Sequence, residues 1–256
     1  MTGSRISAIY LLRQTFAVVG SVYPALFRIN YPHLIWFVLN TFGGDILLNS
    51  FEITTPEQAD ASLKLNIIYW LVAVPFLSGA TNFYTYRSLT ENQVTASEAF
   101  SQAKRRLLPL ILVNFLSVVL ILGLPGIIMR FLGSYAFVGL IIQLIIIPGF
   151  YVFVLYRLIF SSYATVIDNS SVLDSFDSSW KLTEGRWWLI SRSNLLIGFV
   201  FFVPAILISV LIGSILGNPL AAKLVGQVLG FIAGVFINVY LILLYQSLQQ
   251  SAATIE

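Results

Sequence analysis

Long apolar runs separated by short polar breaks cover most of this 256-residue chain. Each run reaches roughly the 20 residues that an α-helix needs to cross the hydrocarbon core of a bilayer. Hydrophobic residues make up 58% of the chain and charged residues 10%, whereas about 25% of an average soluble protein is charged. The chain is therefore expected to be an integral membrane protein.

Six runs are predicted to span the membrane as α-helices. Backbone groups in lipid must bond within their own segment, and the runs lack the period-2 pattern of barrel strands. The predicted spans are 31–49, 65–86, 107–129, 135–160, 187–216 and 221–248. The first is the least apolar, and its Asp45 lies either within the membrane or at the outer end of the span. The longest polar stretch, 161–186, is too short for a separate soluble domain, so residues 1–256 are predicted to form one membrane domain.

The distribution of basic residues predicts the orientation. Of the 14 Lys and Arg residues, eleven fall on the side of the N-terminus, which predicts that both termini are cytoplasmic. These eleven are Arg5, Arg13, Arg28, Arg87, Lys104, Arg105, Arg106, Arg157, Lys181, Arg186 and Arg192. The opposite side receives Lys64, Arg130 and Lys223. The expected location is the inner membrane of a prokaryote, with the chain crossing it several times.

The chain is predicted to repeat one unit three times: an amphipathic interfacial helix followed by a hairpin of two spans. The units cover about residues 5–90, 95–160 and 171–248. Thr95 and Glu98 open the second interfacial helix, and Ser171 and Asp174 open the third. A hydroxyl residue followed three positions later by a carboxylate is typical of a capping box. The first interfacial helix, near 6–16, lacks such a pair.

Two further patterns concern the spans themselves. Tyr and Arg at a membrane boundary anchor a helix, because the ring takes the interface and the guanidinium extends outward. The predicted anchors are Tyr86, Arg87, Tyr156, Arg157 and Tyr245. Small residues four positions apart let another backbone approach closely. The predicted packing glycines on the sixth span are Gly226, Gly230 and Gly234, for packing within the bundle or between copies of the chain.

Residues 175–188 read SFDSSWKLTEGRWW. This segment resembles the signature of the glycerophosphoryl diester phosphodiesterase membrane-domain family and its uncharacterised bacterial relatives. The resemblance implies a multipass helical layout. Some relatives fuse this region to a soluble catalytic barrel, for which this chain has no room, so no catalytic residue carries over. The motif residues are Phe176, Trp180, Glu184, Gly185, Arg186, Trp187 and Trp188.

The motif also has a physical interpretation. Val172, Leu173, Phe176 and Trp180 lie on one helical face, which suits a segment in the headgroup layer or one packed on its own bundle. Gly185 is expected to end this helix. Trp187 and Trp188 are expected to seat the fifth span at the interface.

The residues for common catalytic and metal sites are missing from the sequence. The chain has no Cys and a single His, His33, which excludes thiolate and multi-histidine metal sites. No P-loop or nucleophile-elbow pattern occurs. Among polar residues within spans, Asn114, Gln143, Gln227 and Asn238 are expected to hydrogen-bond between helices. No cofactor is expected, and the basic residues at membrane edges do not form a nucleic-acid patch.

Three functions remain open on the sequence. The favoured one is a non-enzymatic membrane protein that organises lipid or a membrane partner complex. The second is a transporter or translocator of lipid or small molecules, supported by the repeat and by the Pro and Gly breaks within spans. The third is a membrane enzyme acting on lipid headgroups with Asp174, Asp177 and Glu184. The expected partners are membrane lipids, with a second copy of the chain or another membrane protein as further candidates.

Overall fold

The computed structural model describes residues 7–42, 64–90, 94–123, 147–253 and the single residues Ile127 and Arg130. Every element within these residues is a helix, which confirms the predicted all-α class. The helices are α1 (Ala8–Phe42), α2 (Lys64–Thr90), α3 (Ala96–Arg105), α4 (Leu107–Val118), α5 (Ile147–Leu158), α6 (Ser161–Ile167), α7 (Val172–Thr183), α8 (Trp187–Leu216) and α9 (Pro219–Ala253). A π-helical turn, Tyr69–Ala73, interrupts α2, and another, Val119–Gly123, follows α4.

Three of the described helices, α2, α8 and α9, are long and apolar enough to cross a membrane. The bounds of α8 coincide with the predicted fifth span, and α2 and α9 extend a few residues beyond the second and sixth. Two shorter apolar helical stretches, Leu107–Ile121 and Val152–Ile167, overlap the predicted third and fourth spans. Asp45, Gln143 and the remainder of those spans lie outside the described residues, so six spans and the threefold repeat stay predictions.

Helix α1 differs from the prediction of an interfacial helix near 6–16 followed by a separate span at 31–49. The structure has one uninterrupted helix, Ala8–Phe42, that covers most of both segments. Pro24 and Pro32 lie inside it, although proline removes a backbone donor and usually kinks a helix. The break that would have separated the first interfacial helix from its span is therefore absent within 8–42.

Helix α9 lies at the centre of the bundle and α8 at its edge. Helix α9 packs along α8, α1 and α2, and α2 in turn contacts α1, α3 and α6. In the apolar windows of the two helices, 44% of α9 is buried but only 6% of α8. The main core joins α9 to α1 and α6 through buried side chains such as Tyr240, Leu244, Leu26 and Phe160. Most side chains in the apolar window of α8 are therefore exposed on the surface of the bundle.

The sequence did not predict the short helix α6 within the polar stretch 161–186. Its residues Tyr163, Ala164, Thr165 and Val166 are buried, and it contacts α2, α4 and α7. The stretch is therefore part of the packed bundle and does not form a solvated loop. Hydropathy did not predict this burial, because α6 contains small and hydroxyl side chains in place of a long apolar run.

The predicted capping pairs are present at the starts of α3 and α7. The Glu98 carboxylate accepts from the Thr95 amide at 2.7 Å, and the Thr95 hydroxyl accepts from the Glu98 amide at 3.2 Å, which completes a capping box. These bonds lower the pKa of Glu98, so the cap persists at neutral pH and is lost as pH falls through that lowered pKa. At α7 the Ser171 hydroxyl accepts from the Asp174 amide and lies 2.6 Å from its carboxylate.

Candidate functional site

A cavity of about 370 Å³ lies between α1, α2 and α9. Its walls are mainly apolar, and its polar lining residues come from all three helices. These are Asn30, His33, Ser78, Thr81, Gln227 and Asn238. A concave apolar site with a few convergent polar groups, in the size range of roughly 300–1,000 Å³, is the usual form of a small-ligand site. This cavity is the candidate functional site.

Two of the predicted packing glycines line this cavity. A Cβ atom added at Gly230 or Gly234 would meet no heavy atom within 4 Å, and both residues line the cavity. The described residues of this chain therefore bring no other helix close to Gly230 or Gly234, and packing of these glycines between copies of the chain stays a prediction. At Gly226 the prediction agrees with the geometry, because an added Cβ would lie 3.1 Å from the Ser209 hydroxyl of α8. The glycine spacing thus serves packing at one end and leaves space at the other.

Hydrogen bonds between side chains tie the three cavity helices together. Asn30 of α1 and Thr81 of α2 bond to each other, with the Asn30 amide nitrogen 2.8 Å from the Thr81 hydroxyl oxygen. Asn238 of α9 donates to Asn82 at 2.6 Å and accepts from Thr85 at 3.0 Å. Thr81, Asn82 and Thr85 are buried. Polar side chains of this kind hold membrane helices together at roughly 1 kcal/mol per bond.

The amide residues predicted to join helices have different outcomes. Asn238 does join α9 to α2, which confirms that prediction. Asn114 donates instead to the carbonyl of Leu110 in its own helix. Asn82 and Thr85 were missed, because a hydropathy argument gives no weight to single polar residues near the end of a span.

An irregular helical turn and an aromatic cluster border the cavity. Trp70, which lines it, lies within the π-helical turn Tyr69–Ala73 of α2. The Tyr69 hydroxyl bonds the ring nitrogen Nδ1 of His33, and the Tyr69 ring stacks on Trp36 at a centroid distance of 4.4 Å. Single π-turns inside α-helices occur frequently at functional sites. His33 and Tyr69 thus form a contact between α1 and α2 beside the cavity.

A second notable feature is the way α7 docks on the bundle. Its buried side chains are Ser175, Ser179 and Thr183, spaced four residues apart on one face of the helix. The Ser179 hydroxyl donates to the carbonyl of Arg157 at 2.6 Å and accepts from the amide of Phe160 at 3.2 Å. A stripe of hydroxyl residues therefore fixes α7, and the regular spacing of these residues in the sequence could have predicted it.

This docking leaves the apolar face of α7 exposed. Leu173 is 77% exposed and Trp180 43%, and Trp188 at the start of α8 is 61% exposed. Phe176 is half-buried. An exposed row of large apolar and aromatic side chains is typical of a helix in the interfacial layer of a bilayer. Helix α7 thus both packs on its own bundle and presents an apolar face.

The remaining motif residues end α7 and start α8. Gly185 adopts φ +67°, a left-handed conformation that favours glycine, and it separates α7 from α8. The Arg186 guanidinium donates to the carbonyl of Leu248 at 2.8 Å and lies 3.3 Å from the Ser251 hydroxyl. Arg186 therefore ties the start of α8 to the end of α9.

The predicted membrane anchors are engaged within the protein. Tyr245 is only 2% exposed, and its hydroxyl donates to the Asp168 carboxylate at 2.5 Å. The Tyr245 side chain is therefore packed inside the bundle, and its role at the membrane interface stays a prediction. Tyr156 is also buried and its ring lies 6.1 Å from that of Trp187.

The two arginines of the predicted anchors lie over aromatic rings. Arg87 lies 5.5 Å from the Phe83 ring centroid. Arg157 lies 4.7 Å from the Trp180 ring centroid and donates to the Trp180 carbonyl at 3.0 Å. The Arg157 pair joins α5 to α7 through cation–π attraction, whereas Arg87 and Phe83 both lie on α2. Tyr86, the remaining anchor, is half-buried at the end of α2 and packs against the core.

The carboxylates considered for catalysis on lipid head groups either bond to neighbouring residues or are exposed to solvent. Asp174 belongs to the cap of α7, and Asp177 forms an exposed ion pair with Lys181 at 2.6 Å, which raises the pKa of Lys181. Glu184 is exposed at the end of α7. Within the described residues, no group of three His, Cys, Asp or Glu side chains is placed to hold a metal ion.

No family model, curated protein or solved structure matches this chain. The resemblance of residues 175–188 to the membrane-domain family therefore stays a prediction.

Proposed function

We propose that this protein is a non-enzymatic, multipass membrane protein that organises lipid by binding it in the cavity between α1, α2 and α9. The observation that carries the proposal is the cavity itself, with its apolar walls and hydrogen-bonding groups. A membrane-embedded cavity of this kind draws its ligand from the surrounding lipid. Gly230 and Gly234 keep the space open, since neither has a side chain to fill it.

The surface of α7 and α8 supports a lipid-facing role. Leu173, Trp180 and Trp188 are exposed next to basic residues: Arg157 lies over Trp180 and Arg192 over Trp188. Aromatic rings and basic groups together suit the polar–apolar boundary of a membrane. In the proposed arrangement this surface contacts the cytoplasmic leaflet of a prokaryotic inner membrane, with six spans and both termini in the cytoplasm.

The test is to identify the lipids that stay bound to the full-length protein after purification in mild detergent. Gly230→Leu places a large apolar side chain in the cavity and is expected to lose most of the retained lipid. Gly198→Leu is the matched control, because an added Cβ there also meets open space and Gly198 lies on α8, away from the cavity. Equal lipid retention in wild type and both folded variants would contradict the proposal.

A second candidate function is translocation of lipid or small molecules through the same cavity. It is favoured by the π-helical turn Tyr69–Ala73 beside the cavity and by Pro75, two residues after that turn. Interrupted helices at a central site are typical of transporters. Reconstitution with fluorescent lipid analogues distinguishes the two functions: a translocator accelerates exchange between leaflets, and Gly230→Leu abolishes that acceleration, whereas an organiser leaves the rate at that of protein-free vesicles.

A further inference from the structure

We infer that the cavity between α1, α2 and α9 takes a membrane lipid whose head is an uncharged hydroxyl group, the class that includes diacylglycerols and long-chain alcohols. This inference rests on the proposed function and specifies the ligand of the same site. It follows from the charge of the cavity and from the hydrogen-bonding capacity of Asn30 and Asn238.

Charge excludes the common phospholipid head groups from this cavity. Among the described residues that line it, none is Asp, Glu, Lys or Arg. A phosphate placed among apolar walls without a counter-charge loses its hydration with no compensating ion pair. The arginines described above are committed elsewhere: Arg157 and Arg186 bond backbone carbonyls in α7 and α9. The ligand head must therefore be neutral.

The Asn30–Thr81 pair leaves an acceptor available. The Asn30 amide nitrogen donates one hydrogen to the Leu26 carbonyl at 3.0 Å and the other to the Thr81 hydroxyl at 2.8 Å. The Thr81 hydroxyl has one hydrogen and two acceptors in reach, the Leu77 carbonyl at 2.8 Å and Asn30 Oδ1 at 3.0 Å. When that hydrogen goes to Leu77, the nearer acceptor, Asn30 Oδ1 is free to accept from a ligand.

Asn238 leaves a donor available in the same cavity. Its amide nitrogen carries two hydrogens, and one of them goes to Asn82 Oδ1 at 2.6 Å. The other meets no acceptor among the described residues. A hydroxyl group donates one hydrogen bond and accepts up to two. It therefore matches the free acceptor on α1 and the free donor on α9, whereas an ester or ketone offers only acceptors.

The rest of the cavity suits a hydrocarbon tail. Phe37, Val74, Phe231 and Val235 provide apolar walls, and Trp70 is exposed at the edge. The exposed backbone of Gly234 keeps this side open. A tail lying here leaves the protein sideways into the bilayer, as expected for a lipid and not for a water-soluble ligand.

The test compares three lipids that share the same chains and differ at the head. Wild-type protein is reconstituted in phosphatidylcholine nanodiscs with equal amounts of dioleoylglycerol, its 3-acetyl ester and dioleoylphosphatidic acid. Lipid retained after transfer to detergent is then counted by native mass spectrometry. Because a lost hydrogen bond to a buried amide typically weakens binding several-fold, dioleoylglycerol should be retained about five- to tenfold more than the ester. It should also exceed phosphatidic acid.

Two substitutions locate the preference. Asn30→Leu removes the free acceptor, which only a hydroxyl group can use, and should erase the discrimination between dioleoylglycerol and its ester. Thr81→Val breaks the same link between α1 and α2 but keeps the Asn30 amide, so discrimination should persist. Persistence in Asn30→Leu, or equal retention of the three lipids by wild type, would overturn the inference. If wild type retains the three lipids equally and Gly230→Leu retains none of them, the inference about the head group fails but the proposed function stands. Absence of any retained lipid in wild type contradicts the proposed function itself.

Discussion

The side-chain amide nitrogen of Asn238 on α9 donates a hydrogen bond to the side-chain oxygen Oδ1 of Asn82 on α2 at 2.6 Å. The two residues are 156 positions apart in the chain. The same Asn238 accepts from Thr85 at 3.0 Å and borders the cavity. One residue therefore holds two helices together and takes part in the proposed lipid site. In a membrane, apolar helix surfaces gain little free energy by contacting each other in place of lipid. Hydrogen bonds between side chains therefore help to specify which helices pack together.

Asn238→Leu should lower the free energy of unfolding by roughly 1–2 kcal/mol, because Asn82 and Thr85 lose a partner in a buried setting. Asn114→Leu is the control, since within the described residues Asn114 bonds the Leu110 carbonyl of its own helix and no other helix, and its effect should stay under about 0.5 kcal/mol. Denaturant unfolding in detergent measures both. Equal losses would show that the link between α2 and α9 carries no specific stability.

Ser179→Ala should destabilise the protein by about 1–2 kcal/mol, because it leaves the Arg157 carbonyl and the Phe160 amide without the Ser179 hydroxyl. The adjacent Ser178→Ala changes the same atoms outside the buried stripe and should alter stability by less than about 0.5 kcal/mol. The same unfolding assay applies. Indistinguishable variants would mean that the apolar face, and not the hydroxyl stripe, holds α7.

Gly185→Ala should cost roughly 1–2 kcal/mol, because an alanine at φ +67° is strained by its Cβ. Gly20→Ala offers the opposite case: Gly20 lies inside α1 with open space around its missing Cβ, and alanine there should stabilise by about 0.5–1 kcal/mol. Thermal unfolding in detergent gives the sign of each change. Stabilisation by Gly185→Ala would contradict the helix-ending role of Gly185.

Ser178→Cys should react with a membrane-impermeant thiol reagent only after cells are opened, if α7 lies on the cytoplasmic side. The chain has no native Cys, so labelling reports this position alone. Arg130→Cys lies on the side predicted to be external and should label in intact cells. The reverse pattern would invert the orientation that the basic residues predict.

The sequence predicted the helical class and the bounds of α8, because long apolar runs have one stable conformation in lipid. It also predicted the cap at Thr95 and Glu98 and the helix end at Gly185, which depend on residues close in the chain. The uninterrupted helix α1 was not predicted, because polar residues such as Arg28 and Asn30 divide its sequence into separate apolar runs. The backbone at these residues is nevertheless helical.

The cavity could not be predicted from the glycine spacing. Gly226, Gly230 and Gly234 are equivalent in sequence, and only the position of the neighbouring helices decides which of them contacts a side chain. Likewise, the sequence around Tyr245 is typical of a boundary anchor, but its side chain is buried and bonds Asp168. Asp168 directly follows α6, which the sequence did not predict. Contacts between distant segments decided both outcomes.

The most direct test of lipid binding in the cavity is the thermal unfolding midpoint of delipidated protein when the extracted lipid is returned. A ligand that binds only the folded state at about 100 times its Kd adds roughly 2.7 kcal/mol, or about 5–10 °C for a chain of this size. Wild type and Gly198→Leu should show this rise, and Gly230→Leu should not. A rise of the same size in Gly230→Leu would contradict binding in the cavity between α1, α2 and α9.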